Sequence, residues 1–383
     1  MAYLNNAATT YPKPEVVKQA VARSLDDLPT SQYRGTVGND IDCVDWEKLC
    51  RENLARLFQI KEKDRIVFTS GSTQALNMAI LGVCRSGIKR HGIVITATEH
   101  NAVLRTIYDG LKHELESGEL YVRVVPCDKS GYVDLEEMDS AIDDDTALVI
   151  VNHVSNVTGA MQDVNGIGQI CRSKGALFLV DASQSAGVVP ISVEELEPDF
   201  LAFTAHKSLF GIQGCGGLYI NPQIELRPIM FGGTGTNSEV MVPEKPFYQV
   251  GTANIPGIAG LCAGVGFVLE NGIDKIMQKD EKLMGTLYEG LKSIEKVVVY
   301  ADKQPCGAAL SFNIEGLSSS DVGYILSGSY GIQIRTGLHC APFIHEYLGS
   351  GKMGTVRVSV SYLTEEKEIY ELLDAVKEIT KAV

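Results

Sequence analysis

Short hydrophobic runs recur along the first two thirds of the chain, each followed by a polar turn and then by apolar residues at helical spacing. "EVVKQAVARSL" and "CVDWEKLCRENLARLF" carry the spacing of amphipathic helices. "RIVFTSGSTQALNMAILGV" reads as strand, glycine turn and helix, and "GIVITATEHNAVLRTIYDGLK" and "TALVIVNHVSNVTGAMQDVNGIGQICRSKG" repeat that order. "ALFLVDASQSAGVVPI" and "DFLAFTAHKSLFG" add two more strands. β-Branched runs between helices indicate parallel strands buried on both faces. The pattern therefore predicts a doubly wound, mainly parallel α/β domain over residues 15–255. The Pro- and Gly-rich run "PEKPFYQVGTANIPGIAG" marks the exit from it and leads into one long helix, roughly Ala259 to Lys296. Strand and helix alternate again from "GAALSFNIEG" onward, so residues 1–14 and 256–383 read as a smaller α+β domain closing on the first.

Chemistry collects where these strands end. Asp181 closes "ALFLVD", and Lys207 follows the next strand, 207 − 181 = 26 residues later. Lysine normally extends its charge into water, yet this one emerges from a buried run, with Gln184 and His206 near it in sequence. Alone, Lys207 is a loop lysine and Asp181 a helix cap or magnesium ligand. Together, an amine for covalent attachment and an anion beside a ring nitrogen suit pyridoxal phosphate. "SGSTQALNMAI" supplies a helix N-terminus for the phosphate, with Gly71, Ser72 and Thr73 at its start; without a ligand the same turn is an ordinary cap. His100, after the strand "IVIT", is placed to lie flat on the ring, and Asn156 to reach the cofactor's phenolic oxygen.

Composition removes other classes. The 383 residues are 45% hydrophobic and 21% charged, enough for a substantial core. A formal net charge of −14 with no basic run argues against nucleic acid. No apolar stretch is long enough for a bilayer, and "MAYLNNAATTYPKP" lacks a signal-peptide layout, so the cytosol is the expected location. The nine cysteines (43, 50, 84, 127, 171, 215, 262, 306 and 340) include no CxxC pair, which excludes a zinc spacing and a disulfide framework. No metal is expected. A dinucleotide enzyme is disfavoured because GxGxxG is missing after the first strand.

Cys340 stands apart. It lies in the short loop "RTGLHCAPF", between Gly337 and Pro342 and next to His339, where a thiol is expected to be accessible and partly ionised. The other eight cysteines read as buried apolar residues.

"YLNNAATT", "TSGSTQALN", "TATEHN", "VNHVSNVTG", "LVDASQSAG", "FTAHKSLFG", "VGTANIPGIAGL" and "IRTGLHCAP" stand in the order of the cysteine desulfurases, which the chain resembles over nearly its whole length. These are class V aminotransferases with the fold type I (aspartate aminotransferase-like) architecture of pyridoxal-phosphate enzymes. The resemblance implies that Lys207 binds the cofactor covalently. It also implies that Ser72, Thr73, Thr204 and His206 hold the phosphate, joined by Thr252 reaching into the site of a partner subunit, hence a homodimer. Asp181 would pair with the ring nitrogen and Gln184 with the phenolic oxygen. Asn156 and Arg357 would grip the substrate carboxylate, a task suited to a planar guanidinium. Arg335 would shape the site or serve a structural ion pair. Lys207 would act as base at the substrate Cα, Cys340 would take the sulfur of L-cysteine as a persulfide, and His100 would serve as acid and base. The products would be alanine and sulfur for an acceptor protein, as in iron–sulfur cluster assembly. The compact loop resembles the desulfurase group that includes selenocysteine lyases. Selenocysteine lyase, another class V aminotransferase acting on a small amino acid, and a non-catalytic scaffold are the alternatives.

Overall fold

The computed structural model describes residues 1–26, 44–234 and 239–382. Cys43 lies outside them. A seven-stranded sheet is built from β2 (Ile66–Thr69), β3 (Gly92–Thr96), β4 (Tyr121–Val125), β5 (Thr146–Asn152), β6 (Leu177–Asp181), β7 (Phe200–Thr204) and β8 (Gly216–Ile220), in the order β2-β8-β7-β6-β5-β3-β4. Only β8 runs antiparallel to its neighbours. Every residue of β5 is buried. Val149 and Val151 face one core, and Leu148 and Ile150 the other. This two-sided burial is why the strands read as unbroken apolar runs.

The hydrophobic pattern hid β8. Gly216 and Gly217 are poor strand formers, but a Cβ on Gly216 would lie 2.6 Å from the Phe203 carbonyl oxygen, and one on Gly217 would lie 2.4 Å from the Phe203 ring. The strand is glycine-rich because β7 and the turn after β2 crowd it. β4 has no counterpart in the sequence reading either; four of its five residues are only partly buried.

The smaller sheet joins β9 (Val297–Val299), β10 (Ala309–Ile314), β12 (Arg335–Gly337) and β13 (Thr355–Ser359) in the antiparallel order β12-β13-β10-β9. β1 (Ala2–Tyr3) pairs in parallel with β11 (Ile332–Gln333). Strand alternation sorts β13: Val356 and Val358 enter the small-domain core, leaving Thr355, Arg357 and Ser359 on the opposite face. Register sets Arg335 directly across from Arg357.

The long helix expected from Ala259 to Lys296 is instead two helices, Ile255–Asn271 and Ile273–Lys292, meeting at 83°. Gly272, at φ 83°, makes the break. Ile258, Leu261, Cys262 and Val265 of the first helix pack in the large-sheet core, while Leu283, Met284 and Leu287 of the second pack in the small one. The change of core thus falls at Gly272, later than the boundary at residue 256 read from the sequence. Among the described residues no single helix is long and apolar enough to cross a membrane.

The second helix buries Asp280 at 3% exposure with neither carboxylate oxygen hydrogen-bonded. Burial raises its pKa to about 7, against a small opposing pull from Lys279. Because the folded value exceeds the unfolded one, this group costs stability as pH rises from about 4 towards 7, on the order of 3 kcal/mol above that window. Asp280→Asn is expected to raise the Tm by several degrees at pH 8 and by little at pH 4.5, which thermal unfolding at both pH values checks.

Candidate active site

β7 delivers Lys207 at the edge of the large sheet, and neighbouring segments hold the turn that carries it. The Thr10 N–H, the Thr9 hydroxyl and the Lys13 ammonium all donate to the His206 carbonyl, at 3.0, 3.1 and 2.7 Å. The Thr10 hydroxyl donates to the Lys207 carbonyl at 2.7 Å, and Phe210 N–H to the same oxygen at 2.8 Å. With its backbone clamped, the amine reaches into the cleft. Burial lowers its pKa to about 8, with Arg357 and Arg335 acting in the same direction and Asp181 and Cys340 opposing. A lysine so perturbed gives up its proton far more readily than one in water.

Asp181 ends β6 at 3% exposure and accepts from Ser183 N–H at 2.9 Å and from the Ser183 hydroxyl. No basic side chain pairs with it among the described ion pairs. Gln184, in the turn after it, donates to the Ala7 carbonyl at 3.0 Å. His100 caps the helix Asn101–Tyr108: its Nδ1 accepts from Ala102 N–H at 3.0 Å. Burial, then the Lys207 charge, lower its pKa to about 4, with Asp181 opposing. The ring is therefore neutral, with its proton on Nε2, and in this state His100 offers a hydrogen-bond donor. Taking up a proton at Nδ1 would require giving up the cap.

The helix Ser72–Cys84 begins in the same cleft with no side-chain cap, whereas the helices starting at residues 46, 135 and 164 are each capped by an aspartate. Gly71, at φ 149°, brings its backbone to the Thr204 hydroxyl, 3.7 Å from where its Cβ would stand. His206 Nδ1 is buried without a partner. An uncapped helix start, two hydroxyls and an unsatisfied ring nitrogen fit a phosphate. Between this cup and Asp181, beside a perturbed lysine, the arrangement fits pyridoxal phosphate.

The small domain closes the other side. Arg357, 1% exposed, donates to the Asn156 carbonyl at 2.8 Å and to Asn5 Oδ1 at 3.1 Å; its Nε and Asn156 Oδ1 are buried without partners. Burial, reinforced by Arg335, lowers its pKa to about 9. Arg335 donates to Cys340 Sγ at 3.1 Å, and among the described residues it forms no ion pair with a carboxylate. Cys340 and His339 both sit in the left-handed region, at φ 61° and 51°, which costs non-glycine residues about 1–3 kcal/mol each. Three contacts hold them there: Asn101 N–H to the Cys340 carbonyl at 2.6 Å, Asn156 Nδ2 to the His339 carbonyl at 2.7 Å, and His339 Nε2 to Thr355 Oγ1 at 2.9 Å. The first of these fixes the thiol loop to the residue after His100.

The aminotransferase class-V family model matches residues 2–372. The chain belongs to the class-V aminotransferases. A probable cysteine desulfurase from Methanothermobacter thermautotrophicus is 34% identical over 98% of this chain and 94% of its own. One from Pyrococcus abyssi is 33% identical over 100% and 94%. The apo structure of a cysteine desulfurase from Thermococcus onnurineus NA1 superposes with a TM-score of 0.86 at 30% identity, covering 100% of this chain and 95% of that one.

In this class-V aminotransferase, charge interactions tie Lys207 to Asp181, His100, Arg335, Arg357 and Cys340, hydrogen bonds tie Asn156 to Arg357 and to the Cys340 loop, and Ser72 and Thr73 open the helix whose Gly71 start faces Thr204; Gln184 and His206 are placed by their neighbours Asp181 and Lys207 in the chain. Thr252 is exposed, ahead of the helix Ile255–Asn271. Cys340 is half-buried. The expectation of buried thiols elsewhere holds for Cys50, Cys127, Cys171, Cys215 and Cys262, but Cys306 is exposed and Cys84 half-buried. Sequence reading missed Asn5, which braces Arg357; Lys13, whose pKa burial lowers to about 8; and Glu99, fully buried beside His100. Only Glu99 left a signal, a carboxylate directly after a buried strand. If Arg335 activates the thiol, Arg335→Leu should slow alkylation of Cys340 by iodoacetamide at pH 7 about tenfold; an unchanged rate, read by mass of the Cys340 peptide, removes that role.

Proposed function

We propose that this class-V aminotransferase is a pyridoxal-phosphate-dependent cysteine desulfurase, converting L-cysteine to L-alanine and collecting the sulfur on Cys340. The observation that carries this reading is Cys340: a thiol bonded to Arg335 and electrostatically coupled to Lys207 in one cleft, where a transaminase needs no thiol.

Lys207 would hold the cofactor, Asp181 its ring nitrogen, Gln184 its phenolic oxygen, and Ser72, Thr73, Thr204 and His206 its phosphate. When bound, the cofactor supplies an electron sink for charge developing at the substrate Cα. Arg357 presents a guanidinium, already oriented by Asn5 and Asn156, to the substrate carboxylate. The Lys207 amine, eased towards neutrality by burial, takes the Cα proton. His100, with its Nδ1 held by Ala102 N–H, would offer its Nε2–H to the bound group as a donor. The Cys340 sulfur, held by Arg335, would attack the substrate sulfur: a sulfur–sulfur bond forms on Cys340 as the Cβ–sulfur bond breaks, and the electron pair left at Cβ takes a proton to give the methyl group of alanine.

The working unit in this reading is a cytoplasmic homodimer that passes its persulfide to an acceptor protein, with iron–sulfur cluster assembly as the route served. The run before Thr252 supports a dimer. Phe231, Met241 and Val242 are 82%, 81% and 86% exposed and, with Met230 and Phe247, line one apolar cavity; an exposed patch of this kind marks an interaction surface.

Alanine release from L-cysteine, compared with selenocysteine, tests the activity. Cys340→Ala should retain the bound chromophore yet lose persulfide and sulfide formation by at least about a thousandfold. Lys207→Ala should lose covalent cofactor retention under borohydride. Persulfide formation surviving in Cys340→Ala would end this reading.

A further inference from the structure

Glu99 has no place in the scheme above, and the molecule buries it completely. It follows β3 and precedes His100. Its Oε1 accepts from the Thr96 hydroxyl at 2.7 Å and from Asn152 N–H at 2.9 Å. Asn152 ends β5, and its strand partner is Asp181, the last residue of β6. One carboxyl oxygen thus ties the end of β3 to the end of β5, one strand from the anion of the site. The other oxygen, Oε2, is buried with no hydrogen-bond partner. No cation pairs with either oxygen among the described ion pairs. A carboxylate in such a place would keep an unpaired charge out of water. A carboxylic acid would carry its proton on the free oxygen and leave Oε1 to accept both bonds.

We propose that Glu99 is a positioning residue that works as an uncharged carboxylic acid, fixing the strand ends behind Asp181 without adding a charge to the floor of the cleft. The inference rests on the reading of Asp181 as the partner of the cofactor's ring nitrogen. The ionisable groups around Glu99 are Asp181 on β6 and His100 at the head of its helix; β3 and β5 contribute none. Asp181 and burial favour the protonated form, and the neutral imidazole of His100 offers no counter-charge. Burial, chiefly, raises the Glu99 pKa to about 8, with Asp181 adding to the rise and the bonds from Thr96 and Asn152 opposing it.

Glu99→Gln reproduces the acid's pattern, an acceptor at one position and a donor at the other, whereas Glu99→Ala leaves Asn152 N–H and the Thr96 hydroxyl without their acceptor. In the holoenzyme, infrared spectra at pH 6.5 should contain a protonated-carboxyl band that is lost in Glu99→Gln and titrates away with a midpoint near 8. Glu99→Gln should keep cofactor affinity, followed by visible absorbance on dilution, within about twofold, while Glu99→Ala weakens it about tenfold or more. The proposal is overturned if the band is missing at pH 6.5. It is also overturned if Glu99→Gln, with unchanged Tm, loses affinity as far as Glu99→Ala does, since that outcome requires a charge. Asp181→Asn in the same dilution assay judges the ring-nitrogen reading separately, because the infrared band of Glu99 does not depend on it.

Discussion

Positive groups confined around a single carboxylate form the constraint on which the site depends. Lys207, Arg335 and Arg357 converge on a cleft that holds the Asp181 carboxyl, inside a chain of net charge −14. In bulk water these cations would hold their protons firmly. Out of solvent and close to one another, two of them hold theirs less firmly: Lys207 falls to about 8 and Arg357 to about 9. The same field keeps His100 neutral, with a pKa near 4. A cleft so charged draws a phosphate and a carboxylate and leaves one amine able to exchange its proton.

Both domains are needed to produce that field. Asp181, Lys207 and the helix start at Ser72 belong to the large sheet, while Arg335, Arg357 and Cys340 belong to the small one. The N-terminal segment joins them: Ala2 and Leu4 pack in the small-domain core, Asn5 holds Arg357, and Thr9 and Thr10 hold the Lys207 turn. The thiol loop is likewise pinned across the domains, to Asn101 and Asn156. Two consecutive left-handed residues persist there because surrounding contacts outnumber the strain, so the loop presents its sulfur in a fixed direction.

Much of this was legible in the chain itself. β-Branched runs marked the parallel strands, and polar residues following them marked the site, since a doubly wound sheet collects chemistry at its strand ends. Where reading failed, a long-range packing contact was the cause. β8 was not read as a strand because only Phe203 and Gly71 explain Gly216 and Gly217. One helix became two because Gly272 adopts a positive φ between two cores. Arg335 was left between a structural ion pair and a site role, because nothing local says that its partner is a sulfur five residues away.

The order of apolar runs, the residue types at their ends and the place of Cys340 in a short loop were determined by sequence alone, because strand alternation and turn chemistry are local properties of the chain. Protonation states and partners were decided only by the tertiary structure. Desolvation and Coulomb interaction depend on what lies within a few ångströms in space: Asp181, eighty-two positions from Glu99 by 181 − 99 = 82, adds to the rise of the Glu99 pKa only because β3, β5 and β6 lie side by side.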